Sequence, residues 1–563
     1  MSNPTAYGAV DVPVLSFEIR ERDVLGRIGK LVTKSGSIET PQLLPVINPG
    51  VQPISPAEMR EDFGCEAVMT NAYILRKNFM EGVSKAGVHD FLKFPGVIMT
   101  DSGAYQILVY GGVDVSPDEI ARFQETIGTD IAVILDVPTG WGLGREKAEL
   151  TVNETVRRAR TTLEGRSRDD ILWVGPVQGG AYLDLVVRSA TEMGQLPFQI
   201  HALGSPTRVM EQYIFDTLAD MIVTAKMNLP PERPLHLFGA GHPMVFSLAV
   251  ALGCDLFDSA AYAIYARQGR YMTSRGTLRL ERLEYLPCSC GVCSKWSLSE
   301  LRDLPKEKRQ ALLARHNLHV CVAALREIKQ AITEGRLWEL LDCVSHGHPS
   351  LLRALRHFKK YSGFLEKNSP VAGRRGLFYF GSEDLSRPEI VRHERRMREN
   401  YLDPPQAKVL LLLPQVDRRP FHTSPEHRRI WTALDRALGQ MSHVVDVCTY
   451  AAPFGVVPWE IDDVYPLSQI EIALPCDRET LDRVVEQVGV YLQAKPYEIV
   501  VLYLDRGVWG GEMAKTCREA CSRRGSRFVL LTDGEKMWSD SSIRKLVNSV
   551  VSNLKAIESR SQQ

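Results

Sequence analysis

Eight short apolar runs, each closing on polar or glycine residues, recur through the first half of this chain and constrain its fold more than any other feature. They are PQLLPVIN from Pro41, EAVMTNAY from Glu66, GVIMTDSG from Gly96, IAVILDV from Ile131, ILWVGPVQGG from Ile171, FQIHALGS from Phe198, PLHLFGAG from Pro234 and CDLFDSA from Cys254. A strand apolar at every position must be buried on both faces, which parallel sheets achieve by laying helices over them. The stretches between the runs carry helical patterning. One has a clear start, with Ser116 as N-cap, Pro117 at the first helical position and Glu119 three residues after the cap. Eight strand-then-helix units in roughly 250 residues is the arithmetic of a TIM (β/α)8 barrel. A doubly wound open sheet has the same local pattern, so periodicity alone leaves both α/β folds open.

A barrel places its chemistry at the C-terminal ends of its strands. Asn71 ends the second run, Asp101 the third, Asp136 the fourth, Gln178 the fifth and Gly204 the sixth; Gly239 and Gly241 end the seventh and Asp258 the eighth. A lone aspartate at a strand end is most often a helix cap or a turn former. Three of them at independently assigned strand ends point instead to a site. Paired carboxylates suit glycosidic bond cleavage, one as nucleophile at the sugar carbon and the other moving protons at the leaving group.

A second constellation follows the eighth run. Cys288, Cys290 and Cys293 in C-x-C-x-x-C spacing, with His316 on a predicted helix, can close a tetrahedral zinc shell. Four protein ligands leave no position for water, so such a zinc is structural. The competing account is four unrelated residues in a chain of 11 Cys and 13 His. The remaining cysteines are scattered, which fits a reducing cytosol better than a disulfide framework. Cys517 and Cys521, four apart on a predicted helix, read better as a buried helix face than as a second metal site. The amino terminus has no basic start and no apolar core of a secretory signal, and the run Pro243 to Gly253 is too short to span a bilayer. With a formal net charge of zero, any nucleic-acid surface has to come from local clustering.

At 563 residues the chain exceeds one core. We divide it into a barrel with its metal loop over 1–364, a charged connecting segment over 365–405 that includes Arg374, Arg375, Arg392, Arg395, Arg396 and Arg398, and a smaller α/β domain over 406–563. In the last, strand-like KVLLLLP, HVVDVCTY, EIVVLYLD and RFVLLTD alternate with helical segments.

The segments TDSGAYQ (Thr100 to Gln106), VQGG (Val177 to Gly180), FGAGHP (Phe238 to Pro243) and DLFDSAAYAIYARQGRYMT (Asp255 to Thr273), together with the Cys3His group, resemble tRNA-guanine transglycosylases, specifically the archaeal, archaeosine-forming branch. The resemblance covers roughly Phe17 to Phe364. It implies a cytoplasmic pentosyltransferase that exchanges guanine 15 in the D-loop of tRNA for 7-cyano-7-deazaguanine (preQ0) without cutting the backbone. By position, Asp258 is the nucleophile that carries a covalent ribosyl intermediate and Asp101 the general acid/base. Asp136 accepts hydrogen bonds from the N–H edge of the base, being acceptor-only. Gln178 and the backbone at Leu203 and Gly204 meet its carbonyl side, Tyr105 and Phe238 lie on its two faces, and Asn71 either orients an aspartate or caps a loop. Such a pocket acts only on an extruded nucleotide. The resemblance further implies one structural Zn2+, tRNA and the free base as partners, and a homodimer. A basic stretch of Arg353, Arg356, Lys359 and Lys360 with His357 and Tyr361 is a candidate RNA surface, or a solvated helix face.

LLLLPQVDRRPFHTSPEHR and APFGVVPWEIDDVYPLSQ resemble the core domain of archaeosine synthase. That family's motif has a cysteine where this chain has Gln415 and the nucleophilic lysine where it has Arg419. Arginine stays protonated and cannot add to a nitrile. The domain is therefore expected to be a catalytically silent RNA-binding or structural relative. A PUA module is not recognisable at the end, which suggests a separate PUA-domain partner. Two rivals are a non-catalytic tRNA-binding paralogue, against which Asp101, Asp136 and Asp258 argue, and archaeosine synthase itself, against which Arg419 argues.

Overall fold

All eight apolar runs form strands, and the eight close into one parallel barrel. The computed structural model describes residues 17–104, 114–402, 404–532 and 536–561, and the chain divides into two units, residues 1–361 and 362–563. The first unit opens with an antiparallel three-stranded sheet of β1 (Phe17–Asp23), β2 (Gly26–Thr33) and β3 (Gly36–Glu39). The barrel follows as β4 (Gln42–Ile47), β5 (Ala67–Asn71), β6 (Val97–Asp101), β7 (Ile131–Val133), β8 (Leu172–Val177), β9 (Ile200–Leu203), β10 (Leu235–Leu237) and β11 (Leu256–Ser259). Pairing of β11 with β4 closes the ring, with Asp258 opposite Leu44. This selects the barrel over the open sheet.

The barrel interior is filled by alternate residues of successive strands: Leu44, Met69, Met99, Val133, Val174, Ala202 and Leu256 belong to one buried cluster. Each of the larger side chains among these contributes about 1.5–3 kcal/mol on burial, and layers of this kind are what make a TIM barrel a packed core and not a pore. The register brings functional positions level. Asn71 lies opposite Asp101, and Leu203 lies between Val177 and Leu237. The predicted helix start at Ser116 is a capping box: Ser116 Oγ accepts from Glu119 N–H at 3.2 Å and the Glu119 carboxylate accepts from Ser116 N–H at 2.8 Å.

After β11 come a short helix, Ala261–Arg267, a hairpin of β12 (Arg270–Thr273) and β13 (Gly276–Arg279), the cysteine loop and a 29-residue helix, Lys306–Glu334, that carries His316.

The second unit pairs β14 (Leu377–Tyr379) in parallel with β18 (Ile470–Ile472). It also holds a five-stranded sheet in the order β17 (Gly455–Pro458), β16 (Val445–Ala451), β15 (Val409–Pro414), β19 (Ile499–Tyr503), β20 (Arg527–Leu531), with β17 as the antiparallel edge. Leu410 and Leu412 enter the core on one face of this sheet, while Val409, Leu411 and Leu413 enter the core on the other. That two-sided burial explains the unbroken apolar run. Cys517 and Cys521 are both buried in the first of these cores.

The segment 365–405, expected as a charged connection, is instead part of this unit. It contributes β14 and the helix Pro388–Glu399, whose Ile390 is fully buried. Two of its arginines, Arg392 and Arg395, spend their charge internally on Glu366. Arg392 pairs with Glu366 at 3.0 Å and donates to the carbonyls of Pro370 and Ser369 at 2.7 and 3.1 Å. Among the described residues no helix is long and apolar enough to cross a membrane.

Candidate active site and metal centre

The three aspartates stand at or just beyond the ends of β6, β7 and β11, at the barrel mouth. Asp101 accepts from Asn71 Nδ2 at 2.7 Å. The Asn71 side-chain oxygen also caps the following helix by accepting from Ile74 N–H at 2.9 Å, so this residue both orients the carboxylate and caps. Burial, then the nearby carboxylates of Asp136 and Asp258, push the Asp101 carboxyl up to about 7. Burial likewise pushes Asp136 up to about 6, against a hydrogen bond from Gln178 that favours its charge. A carboxyl that titrates near neutrality can both give and take a proton at working pH.

Gln178 is fixed on every side. Its Oε1 accepts from Thr139 N–H at 2.9 Å and from the Ser205 hydroxyl at 3.1 Å, which forces the amide nitrogen toward Asp136, 2.5 Å away. Gly204 lies so close that a Cβ there would overlap Gln178 Nε2. The Gly204 N–H donates to Val177 O at 2.9 Å, so it serves the barrel ladder here. Leu203 ends β9 and is buried. Phe238 follows β10 and is half-buried, against the barrel core. Tyr105 lies outside the described residues.

Asp258 holds one oxygen in a double grip. Its Oδ1 lies 3.0 Å from His236 Nε2 and accepts from Gly239 N–H at 2.9 Å. Gly239 reaches that position with φ +69, a conformation glycine adopts at little cost. Sequence reading missed His236, Thr139 and Ser205. For His236 a signal exists: in PLHLFGAG it stands two residues before Phe238, and strand alternation puts i and i+2 on one face. Thr139 and Ser205 act through backbone placement that no local pattern announces.

Cys288, Cys290, Cys293 and His316 offer ligand atoms that all lie within 4.8 Å of one another. His316 Nδ1 is 3.5 and 3.4 Å from the sulfurs of Cys290 and Cys293. A tetrahedron with metal–sulfur bonds of about 2.3 Å and metal–nitrogen bonds of about 2.0 Å has S···N edges of roughly 3.5 Å, so the donor set fits a metal ion. The other ring nitrogen is 2.9 Å from Met272 O, a bond that orients the imidazole. Tyr271 stacks on that ring and places its hydroxyl 3.2 Å from Cys293 Sγ.

Much of the basic stretch after residue 350 is engaged with acidic partners. Lys360, His357 and Tyr361 all converge on Asp220, and Arg353 pairs with Asp216 at 3.0 Å. In the second unit the Gln415 side-chain oxygen accepts from Ala452 N–H at 2.8 Å. Burial lowers the Arg419 guanidinium to about 10, which still leaves it protonated at neutral pH.

A family model described as queuine tRNA-ribosyltransferase matches residues 23–350, and one described as a domain of unknown function (DUF5591) matches residues 390–550. The chain is 50% identical over 383 residues to a tRNA-guanine(15) transglycosylase of Aeropyrum pernix, covering 67% of this chain and 74% of that one. It is 42% identical over 490 residues to the protein of that name from Methanocaldococcus jannaschii, covering 85% and 72%. To its counterpart in Pyrobaculum aerophilum it is 45% identical over 462 residues, covering 81% and 90%.

Proposed function

Because the chain belongs to the queuine tRNA-ribosyltransferase family, we propose that it is the pentosyltransferase that replaces guanine 15 in the D-loop of tRNA by preQ0, an early step toward archaeosine. The observation that carries this reading is the meeting of three carboxylates at one barrel mouth, one pushed up to about 7 and another gripped by two donors through a single oxygen. Asp258 attacks the anomeric carbon of the extruded nucleotide; the C1′–N9 bond breaks as a C1′–O bond forms, and Asp101 gives its proton to the departing guanine. The incoming base then loses its N9 proton to Asp101, N9 attacks C1′, and Asp258 leaves as a carboxylate. Asp136 receives N–H donors of the base, beside Gln178, Leu203 and Gly204. Phe238 and Tyr105 cover the two faces of the ring.

The ion held by Cys288, Cys290, Cys293 and His316 is zinc in this reading, chosen by thiolate and imidazole donors in a closed tetrahedron. When bound it supplies structural cross-linking. A homodimer, a separate PUA-domain partner and a cytoplasmic location belong to the same reading. The second unit is a silent relative of the archaeosine synthase core that binds RNA or stabilises the chain, since protonated Arg419 cannot act as a nucleophile. Incubation of the zinc-loaded protein with transcript tRNA and labelled guanine tests the exchange. Incorporation and a covalent adduct, both lost in Asp258→Ala, are expected. An absence of incorporation with all partners supplied favours the non-catalytic paralogue.

A further inference from the structure

Resting on the exchange reading above, we propose that His236 is a positioning residue for the nucleophile: together with Gly239 N–H it holds Oδ1 of Asp258, presents Oδ2 to the anomeric carbon, and steadies the carboxylate as the ribosyl ester breaks.

Among the described residues, both hydrogen-bonding partners of the Asp258 side chain reach Oδ1. Two donors on one oxygen fix the rotation of the carboxylate plane, so the second oxygen has a set direction. A carboxylate only accepts, so His236 Nε2 must carry a proton in this bond, and Nδ1 is the nitrogen turned away from it. That nitrogen is buried with no partner among the described residues. Leaving a buried polar atom unsatisfied is costly, and such atoms in folded proteins call for an explanation. Packing does not supply one. The imidazole is fully buried in β10 and lies against Phe238 with ring centroids 4.8 Å apart, an apolar setting that a phenyl ring would fill without the orphaned nitrogen. What an imidazole adds is its Nε2–H, aimed at the nucleophile.

The same bond changes worth along the reaction. In the free enzyme Oδ1 shares the carboxylate charge. Once Oδ2 is esterified to C1′, Oδ1 is a neutral ester carbonyl, and its hydrogen bonds weaken. When N9 of the incoming base attacks, the C1′–Oδ2 electron pair returns to Asp258 and negative charge redevelops on both oxygens. Donors already in place at that point need no reorganisation, which is the condition for strong transition-state stabilisation. Loss of the His236 bond should therefore retard departure of Asp258 from the ester more than its attack.

The test follows the two half-reactions separately with full-length, metal-loaded protein. Adduct formation is measured in a single turnover on transcript tRNA, and adduct release by a chase with the incoming base. His236→Phe should slow release by roughly a hundredfold to a thousandfold, the range for loss of one such donor, slow formation less, and leave the Kd for tRNA unchanged. His236→Gln, whose Nε2 can reach the same place, should recover most of both rates, while His236→Asn, one methylene shorter, should not. Wild-type rates in His236→Phe would overturn the proposal, as would equal rates in the Gln and Asn variants. The Gln and Asn comparison decides the matter by itself should the Phe variant fail to fold. If the wild-type protein forms no adduct through Asp258, it is the exchange reading that fails, before His236 is ever tested.

Discussion

Replacing Asp101 by asparagine should stabilise the barrel while abolishing exchange, and the stabilisation should depend on pH with a defined sign. The carboxyl is raised from 3.8 to about 7 in the folded protein, by burial first and by Asp136 and Asp258 second. The folded state therefore holds a proton that the unfolded chain has released over the interval between about pH 4 and pH 7, and stability falls as pH rises through it. Above pH 7 the whole penalty is present. About three pKa units correspond to a ceiling of roughly 4 kcal/mol, and relaxation around the site should reduce the expressed value to about 1–2 kcal/mol. The Asp101→Asn side chain would keep an acceptor for Asn71 Nδ2 and carry no charge. Urea unfolding of the barrel, followed by circular dichroism, should show the variant more stable at pH 8 and indistinguishable from wild type near pH 4. A difference that is the same at both pH values, or a variant less stable at pH 8, would refute the assignment of a desolvated, high-pKa carboxyl to this position.

Single-turnover adduct formation should fall with rising pH across about 7, because Asp101 must be protonated to serve guanine. With a carboxyl at about 7, the protonated fraction drops roughly tenfold between pH 6 and pH 8, so a flat profile over that range would remove Asp101 from the acid role. Gly204→Ala should cost at least about tenfold in exchange with an intact circular dichroism spectrum, since its Cβ would overlap Gln178 Nε2 and dislodge the amide from Asp136. Cys290→Ser should lose the metal in elemental analysis and lower the melting temperature, whereas Tyr271→Phe, which removes only the hydroxyl at Cys293 Sγ, should keep the metal and weaken its retention against a chelator by about tenfold.

The parallel α/β layout was readable because a strand buried on both faces has no polar positions, and the choice of barrel over open sheet came only with the pairing of the last strand to the first. The sheet ahead of it was not, because FEIRERD alternates half-buried with exposed positions and most of its residues are charged. The carboxylates were readable from strand ends alone. Their neighbours were not: His236, Thr139 and Ser205 reach Asp258 and Gln178 only after the ring closes. Local charge was the least reliable guide. Arg392 and Lys360 both looked like exposed RNA-binding candidates or linker residues, and both spend their charge on acidic partners within their own unit, Glu366 and Asp220.

The Cys3His group sits after the last barrel strand, yet its geometry ties it mechanically to Asp258, the nucleophile proposed above. Helix Lys306–Glu334 presents His316 and Asn317 side by side. His316 offers one nitrogen to the ligand cluster and bonds Met272 O with the other. Asn317 accepts from Met272 N–H at 2.9 Å and donates to the carbonyls of Tyr262 and Arg270 at 3.2 and 3.1 Å. One turn on, Cys321 bonds the carbonyl of Gly241, whose own α-carbon packs against Ser259, the residue after Asp258. The chain leaving the nucleophile is thus pinned at Tyr262, Arg270 and Met272 to a helix whose position a bound ion would lock. A closed four-ligand shell has no vacant position for substrate, so the ion can influence catalysis only through this frame. Its removal should then loosen the placement of Asp258 without altering the proton inventory of Asp101, and the pH profile of whatever exchange survives should keep its inflection.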